Sequence, residues 1–154
     1  MNYFLKKCIA EGWPVVCDYD GVLFEARFEY VRVGACNNDE EIRIKHEQGL
    51  WLITTPIGFM INLLKDLPNP KFVLSHIHTD IEEQTKIKQL NKYYNGIPLL
   101  RANSVEEKIK YLQDIYDKYG GFIYIDDTLP YIQIFENALT EDTMHFFHVS
   151  SLYV

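Results

Sequence analysis

Residues 15–23 read VVCDYDGVL, and this stretch carries the strongest signal for the fold. The apolar run at its start is typical of a buried β-strand. Because side chains in a strand alternate between its two faces, Asp18 and Asp20 are expected to start toward the same face. Gly21 then allows the chain to leave the strand sharply. We therefore expect a pair of carboxylates at the carboxyl edge of a sheet, where α/β folds bind their ligands.

Predicted strands and helices alternate along much of the remaining chain. Further strands are predicted over residues 71–75, 97–101, 122–126 and 144–149, and helices over residues 2–11, 55–67, 80–94, 104–119 and 129–138. Such alternation predicts an α/β fold, a three-layer Rossmann-like parallel sheet of about five strands.

Three helix ends carry recognisable signals. Thr55 and Pro56 suit the N-cap and first position of one helix. Ser104 with Glu107 three residues later is typical of a capping box, and Gly120 is expected to end that same helix.

The region after the first strand has a different pattern. Residues 24–33 and 41–47 alternate apolar and polar side chains around a turn-like GACNND segment, and residues 50–54 could add a strand. We expect a β-hairpin flap, or minimal cap, over about residues 24–54, within a single domain that comprises residues 1–154.

Composition limits the classes of function. The 154 residues carry a net charge of −7, so a broad basic surface for nucleic acid is absent and a nucleic-acid partner is not expected. An odd count of three cysteines and the absence of a secretory signal predict reduced thiols and a cytoplasmic location. No apolar run approaches the roughly 18 residues that span a bilayer, so no membrane partner is expected.

Chemically suggestive residues recur near the ends of the predicted strands. Ser75 ends the second strand, Asp126 and Asp127 end the fourth, and Lys108 lies in the first turn of the helix between. Each has an ordinary interpretation, because Ser and Asp often cap the helix that follows and a helix lysine is usually solvated.

Taken in order, these residues resemble the haloacid dehalogenase-like (HAD) superfamily across nearly the full chain. That family has Asp-x-Asp at the first strand, Ser or Thr at the second, a Lys, and one or two acidic residues at the fourth. The matching segments here are DYDGVL, FVLS, SVEEKIKYL and IYIDD. Lys108 is the loosest match, and Lys110 is the alternative.

The resemblance implies a phosphohydrolase, because members that cleave carbon–halogen bonds lack the second Asp. Asp18 would be the nucleophile that forms an aspartyl-phosphate, and Asp20 the general acid and base. Ser75 would donate a hydrogen bond, and Lys108 positive charge, to the transferring phosphoryl oxygens.

The resemblance also implies bound Mg²⁺, which would offset the repulsion between a carboxylate and a phosphate. The implied metal-site residues are Asp18, Asp126, Asp20 through its backbone carbonyl, and Asp127, which would orient Lys108 or a metal-bound water.

The substrate is expected to be a phosphorylated small molecule or the phosphorylated end of a macromolecule. The insertion after the first strand is short, so the site would be open unless a second subunit of a homo-oligomer encloses it. Several flap cations could hold an anionic part of the substrate or pair across strands with Glu29 and Glu47; they are Arg27, Arg32, Arg43 and Lys45.

Other protein families share single features with this chain. The SHIHTD segment resembles the His-x-His-x-Asp motif of metallo-β-lactamase-like zinc hydrolases through His76, His78 and Asp80, but the further His is replaced by Ile81. A receiver domain has its Ser/Thr and Lys after the central Asp, which is not the order here. A cysteine phosphatase needs an Arg six residues after its Cys, and neither Cys17 nor Cys36 has one. A non-catalytic HAD-like binding module is a further alternative.

Overall fold

The structure, a computed structural model, describes residues 1–25 and 54–153. The described residues form five strands: β1 (Val15–Cys17), β2 (Lys71–His76), β3 (Leu99–Ala102), β4 (Phe122–Asp126) and β5 (Met144–His148). They also form five α-helices: α1 (Tyr3–Ala10), α2 (Gly58–Lys65), α3 (Asp80–Tyr93), α4 (Val105–Tyr119) and α5 (Leu129–Ala138). A 3₁₀ helix over Val149–Tyr153 follows β5.

All five strands pair in parallel, in the order β3-β2-β1-β4-β5. The predicted parallel α/β sheet is therefore confirmed. The chain fills one side of β1 with β2 and β3, then crosses to the other side with β4 and β5. This reversal creates a topological switch point between β1 and β4, and sheets of this kind bind ligands beyond the carboxyl ends of such strands.

Alternating side chains of the central strands build a core on each face of the sheet. Val16 and Tyr124 lie in one buried cluster, whereas Val15, Cys17 and Ile125 lie in the other. Buried helix residues cover both faces: Leu112 and Phe135 from α4 and α5 on the first, and Leu5, Met60 and Leu90 from α1, α2 and α3 on the second. The two cores make the fold a three-layer sandwich of helices, sheet and helices.

The predicted ends of α4 are confirmed. Ser104 Oγ accepts a hydrogen bond from Glu107 N at 3.1 Å, and Gly120 caps the carboxyl end with a left-handed φ of 78°. The Glu107 carboxylate accepts from Asn103 N at 2.7 Å, one residue before the cap that the sequence pattern predicts as its partner. The local signals therefore placed this helix correctly.

The predicted start of α2 is wrong. The helix begins at Gly58 rather than at Pro56, and its N-cap residue, Ile57, makes no side-chain capping bond. The backbone before α2 pairs with the segment after β1. Pro56 forms an antiparallel bridge with Phe24, and Thr55 O accepts from Glu25 N at 2.9 Å. Pairing with the segment after β1 therefore replaces the expected helix cap.

The predicted flap lies mostly outside the described residues, as do its four cations and Cys36. The chain segments on either side of residues 26–53 are joined, because Glu25 N donates to Thr55 O. The insertion therefore leaves and re-enters the fold at one point, next to the loop that follows β1.

Among the described residues, no helix combines the length and apolar character that crossing a membrane requires.

Because the sheet has a core on each face, shortening a buried side chain of an inner strand should strongly lower the free energy of unfolding. Leu74 in β2 has no exposed surface, so Leu74→Ala should lower the free energy of unfolding by about 2–5 kcal/mol. Ile87→Ala on α3 is the control, because Ile87 is 39% exposed and should cost under about 1 kcal/mol. Urea unfolding followed by circular dichroism measures both, and equal losses would contradict the described core.

Candidate active site

The pairing of β1 with β4 brings two aspartates together. Cys17 is in register with Ile125, and Asp18 N donates to Ile125 O at 2.9 Å, so Asp18 leaves the sheet beside Asp126. Carboxylate oxygens of Asp18, Asp126 and Asp127 all lie within 4.8 Å of one another. Three residues that the sequence placed at two separate strand ends thus form one cluster at the switch point.

Asp126 is held in place by its own neighbours. It has no exposed surface, and its two oxygens accept from the Tyr124 hydroxyl at 2.7 Å and from Thr128 N at 2.8 Å. Tyr124 is itself fully buried. Two hydrogen bonds therefore fix the Asp126 carboxylate in the interior. A side chain that only caps a helix at the surface would need neither the burial nor the bond to Tyr124.

Gly21 makes room for the third carboxylate. Its φ of +76° is accessible to glycine, and a Cβ at this position would lie 2.0 Å from Asp127 Oδ2. The Asp127 carboxylate also accepts from the Thr128 hydroxyl at 3.2 Å, and the Asp127 carbonyl lies 2.9 Å from His148 Nε2. Glycine after the second Asp is therefore required by packing as well as by the turn.

Lys108 is the lysine that reaches the cluster. Its Nζ lies 3.1 Å from Asp18 Oδ1, and the residue is only 5% exposed although it lies on a helix. The ring of Tyr131 lies 5.9 Å from the same ammonium. Lys110 is exposed and lines a separate surface depression with Arg101 and Asp114. The geometry thus separates the two lysines that the sequence left open.

The cluster holds excess negative charge. Burial, opposed by Lys108 and reinforced by Asp126, raises the pKa of Asp18 from 3.8 to about 6. Burial also raises the pKa of Asp126 and of Asp127, and the nearby Asp18 adds to the effect on Asp127. Among the described residues, Lys108 is the lysine in contact with these three carboxylates and does not offset them, so the cluster is suited to a further cation.

The Asp cluster fits Mg²⁺ by its chemistry and spacing. Carboxylate oxygens are the ligands that this hard cation prefers, and two or more carboxylates with water complete a typical site. Asp18, Asp126 and Asp127 form the group of at least three possible metal ligands found among residues 1–25 and 54–153. Asp20, which the sequence also assigned to the metal through its carbonyl, has its side chain directed elsewhere.

The Asp20 side chain forms an ion pair with Lys86 instead, at 3.1 Å. The Lys86 Nζ also lies 3.1 Å from Ser75 Oγ and 3.1 Å from Glu82 Oε2, and Lys86 has no exposed surface. The Tyr19 ring lies 4.6 Å from the same ammonium. Burial opposes the charged form, but Asp20 and Glu82 outweigh it and raise the pKa of Lys86.

Sequence reasoning missed Lys86. A lysine in the middle of a charged helix is usually solvated, and α3 contains several others. The available signal was that Glu82 and Lys86 fall four residues apart, in line with the buried Gln89 and Leu90. Their shared face points to burial, but the partners Asp20 and Ser75 come from the loop after β1 and from β2.

Ser75 does not cap the following helix. Thr79 is the N-cap of α3, and its hydroxyl accepts from Glu82 N at 3.1 Å. Ser75 is 2% exposed and contacts Lys86, so the ordinary interpretation as a helix cap is wrong for this residue.

The histidine motif does not assemble a ligand set with Asp80. The rings of His76 and His78 lie 4.4 Å apart, and burial together with His78 lowers the pKa of His76. The Asp80 carboxylate, however, accepts from Arg101 at 2.7 Å on the surface. The geometry therefore gives the zinc alternative no third ligand from this motif.

A scan against protein-family models finds no match to this chain, and no curated protein matches its sequence significantly.

The raised pKa of Asp18 predicts a pH-dependent stability in the absence of metal. The folded state holds a proton on Asp18 up to about pH 6, whereas the unfolded chain releases it near 3.8, so the free energy of unfolding falls as pH rises through this window. Asp18→Asn should remove part of this loss and raise stability at pH 8 by roughly 1–2 kcal/mol. Urea unfolding in chelator at several pH values tests this.

Asp142→Asn is the control for this measurement, because Asp142 is exposed and precedes the start of β5, at the edge of the sheet opposite the cluster. It should leave the pH dependence unchanged. An Asp18→Asn protein whose stability falls as steeply as the wild type between these pH values would contradict the buried-charge interpretation.

The close approach of Asp127 to Gly21 predicts that alanine destabilises the protein more at position 21 than at position 12. Gly21→Ala should destabilise the protein by about 1–3 kcal/mol more than Gly12→Ala. Both glycines have positive φ, +76° and +85°, so the backbone strain is matched, but a Cβ at Gly12 meets no atom within 4 Å. Chemical denaturation measures the difference, and equal losses would show that Asp127 does not pack where described.

Proposed function

We propose that this protein is a Mg²⁺-dependent phosphohydrolase that cleaves phosphate monoesters through an aspartyl-phosphate on Asp18. The observation that carries the proposal is the contact of Lys108 with Asp18 beside the Asp126–Asp127 pair, at the switch point of a parallel sheet. Together with Ser75, this set and its order along the chain resemble the HAD superfamily.

In the first step, an Asp18 carboxylate oxygen attacks phosphorus and the bond from phosphorus to the ester oxygen breaks. Asp20 gives its proton to the departing oxygen, which leaves as an alcohol. Lys108 and the Ser75 hydroxyl face the charge that develops on the phosphoryl oxygens. Positive charge at Lys108 also lowers the repulsion between the attacking carboxylate and the phosphate.

In the second step, a water oxygen attacks the phosphorus of the aspartyl-phosphate. Asp20 takes the water proton, the bond from phosphorus to the Asp18 oxygen breaks, and inorganic phosphate leaves. The acid role in the first step requires Asp20 to move away from Lys86 when substrate binds; its side chain is 40% exposed and so has room to move.

Asp18, Asp126 and Asp127 would hold Mg²⁺, with the backbone carbonyl of Asp20 as a further ligand. When bound, the cation supplies positive charge that lets the nucleophile and the phosphate approach each other. Binding would also relieve the repulsion that raises the carboxylate pKa values.

The proposed substrates are phosphorylated small molecules or phosphorylated ends of macromolecules. Leu129 and Tyr131, at the start of α5, are 53% and 38% exposed, and Tyr131 lies beside Lys108. The leaving group would therefore depart past partly apolar surface near the carboxyl edge of the sheet.

Phosphatase assays on a panel of phosphate monoesters with Mg²⁺ test the proposal. Wild-type protein should release phosphate, chelator should stop the release, and Asp18→Asn should lower kcat on the order of 10³-fold or more because it removes the nucleophile. Trapped aspartyl-phosphate, measured by mass spectrometry after acid quench, should be absent from the Asp18→Asn protein.

The control is Asp142→Asn, which changes the same functional group on the surface and should keep full activity. Undiminished activity of Asp18→Asn would overturn the nucleophile assignment. Mg²⁺ binding without turnover on the whole panel would favour the non-catalytic binding module instead.

A further inference from the structure

A second buried lysine, Lys86, contacts both Asp20 and Ser75, and the mechanism above assigns it no step of its own. It is one of the fully buried side chains of the protein, whereas its partner Asp20 is 40% exposed. A buried ammonium is costly unless each of its hydrogens is bonded. The three oxygens at 3.1 Å, from Asp20, Glu82 and Ser75, match its three hydrogens in number.

Glu82 links this ammonium to the loop after β2. One Glu82 oxygen contacts Lys86 at 3.1 Å, and the other accepts from His78 N at 2.9 Å. Glu82 is 3% exposed, and the Tyr19 ring covers another side of the ammonium at 4.6 Å. Lys86 is therefore held in a fixed position by groups from α3, from β2 and from the segment after β1.

The contact between Lys86 and Ser75 determines the direction in which the Ser75 hydroxyl donates its hydrogen. An ammonium has hydrogens to donate and no lone pair, so Ser75 Oγ must accept from Lys86. The single hydrogen of the Ser75 hydroxyl then points away from Lys86 and is free for another acceptor. Accepting from a cation also polarises the hydroxyl and makes it a stronger donor.

We infer that Lys86 is a positioning residue that orients the Ser75 hydroxyl as a hydrogen-bond donor toward the phosphoryl group. This inference rests on the proposed phosphohydrolase function and adds a second lysine with a separate task. Lys108 contacts the nucleophile directly, whereas Lys86 acts through Ser75 and does not touch the substrate. Without Lys86, no ammonium would fix the direction of the Ser75 hydroxyl hydrogen.

A double-mutant cycle tests the coupling between Lys86 and Ser75. Lys86→Met is combined with Glu82→Gln, which leaves the net charge of the site unchanged and keeps an oxygen for His78 N. This pair is introduced into the wild-type and the Ser75→Ala backgrounds. The readouts are kcat/KM on a phosphate monoester and the dissociation constant of inorganic phosphate with Mg²⁺, measured by calorimetry.

In the wild-type background the pair should weaken phosphate binding and kcat/KM by about tenfold, the size expected for a charge-assisted hydrogen bond. In the Ser75→Ala background the pair should weaken phosphate binding by less than about twofold, because the hydroxyl that Lys86 orients is already gone. Lys88→Met, on the exposed side of the same helix, should change neither quantity.

Thermal unfolding checks that each variant is folded. If the pair does not fold, Lys86→Arg takes its place, since it keeps a donor for Ser75 and should stay within about threefold of wild type. Equal losses in the two backgrounds, or a folded Lys86→Arg that loses as much as Ser75→Ala, would overturn the role of Lys86 alone. A wild-type protein that neither binds phosphate nor hydrolyses any ester would overturn the proposed function, and this inference with it.

Discussion

Strands β1 and β4 pair in a register that sets Cys17 beside Ile125, and the rest of the site depends on this alignment. Asp18 directly follows β1 and Asp126 ends β4 at the same edge of the sheet, so the two residues leave the core side by side. Their carboxylates share a site with Asp127 and have little contact with water. Like charges this close raise the free energy of the folded state, and the lysines around them offset part of that increase.

Within residues 1–25 and 54–153, two buried lysines supply positive charge near this edge of the sheet. Lys108 from α4 contacts Asp18, and Lys86 from α3 contacts Asp20 and Ser75. The helices α3 and α4 follow β2 and β3, the two strands on one side of β1. The two lysines reach the strand ends from opposite faces of the sheet, because α3 packs into one buried cluster and α4 into the other.

Much of the fold followed from local signals. The alternation of apolar strands with capped helices predicted the parallel sheet, and the cap at Ser104 and the stop at Gly120 placed α4 within a residue. The start of α2 was wrong because Thr55 and Pro56 pair with Glu25 and Phe24, a contact between segments separated by the whole insertion. A helix-cap pattern reports only its nearest neighbours, so it could not reveal this pairing.

The sequence also supplied most of the candidate site, because the ends of parallel strands meet at one edge whatever the details of packing. It named Asp18, Asp20, Ser75, Lys108, Asp126 and Asp127 as residues that strand topology would bring together.

The tertiary structure decided which of these residues touch each other. It assigned Lys108 rather than Lys110 to Asp18, separated the Asp20 side chain from the three-carboxylate cluster, and showed that Gly21 makes room for Asp127. It also brought Lys86 under Ser75, a contact between residues 11 positions apart that helical periodicity alone could not indicate. The sequence determines which strand ends carry charge, but burial and long-range distances determine which charges are paired and which remain to be neutralised.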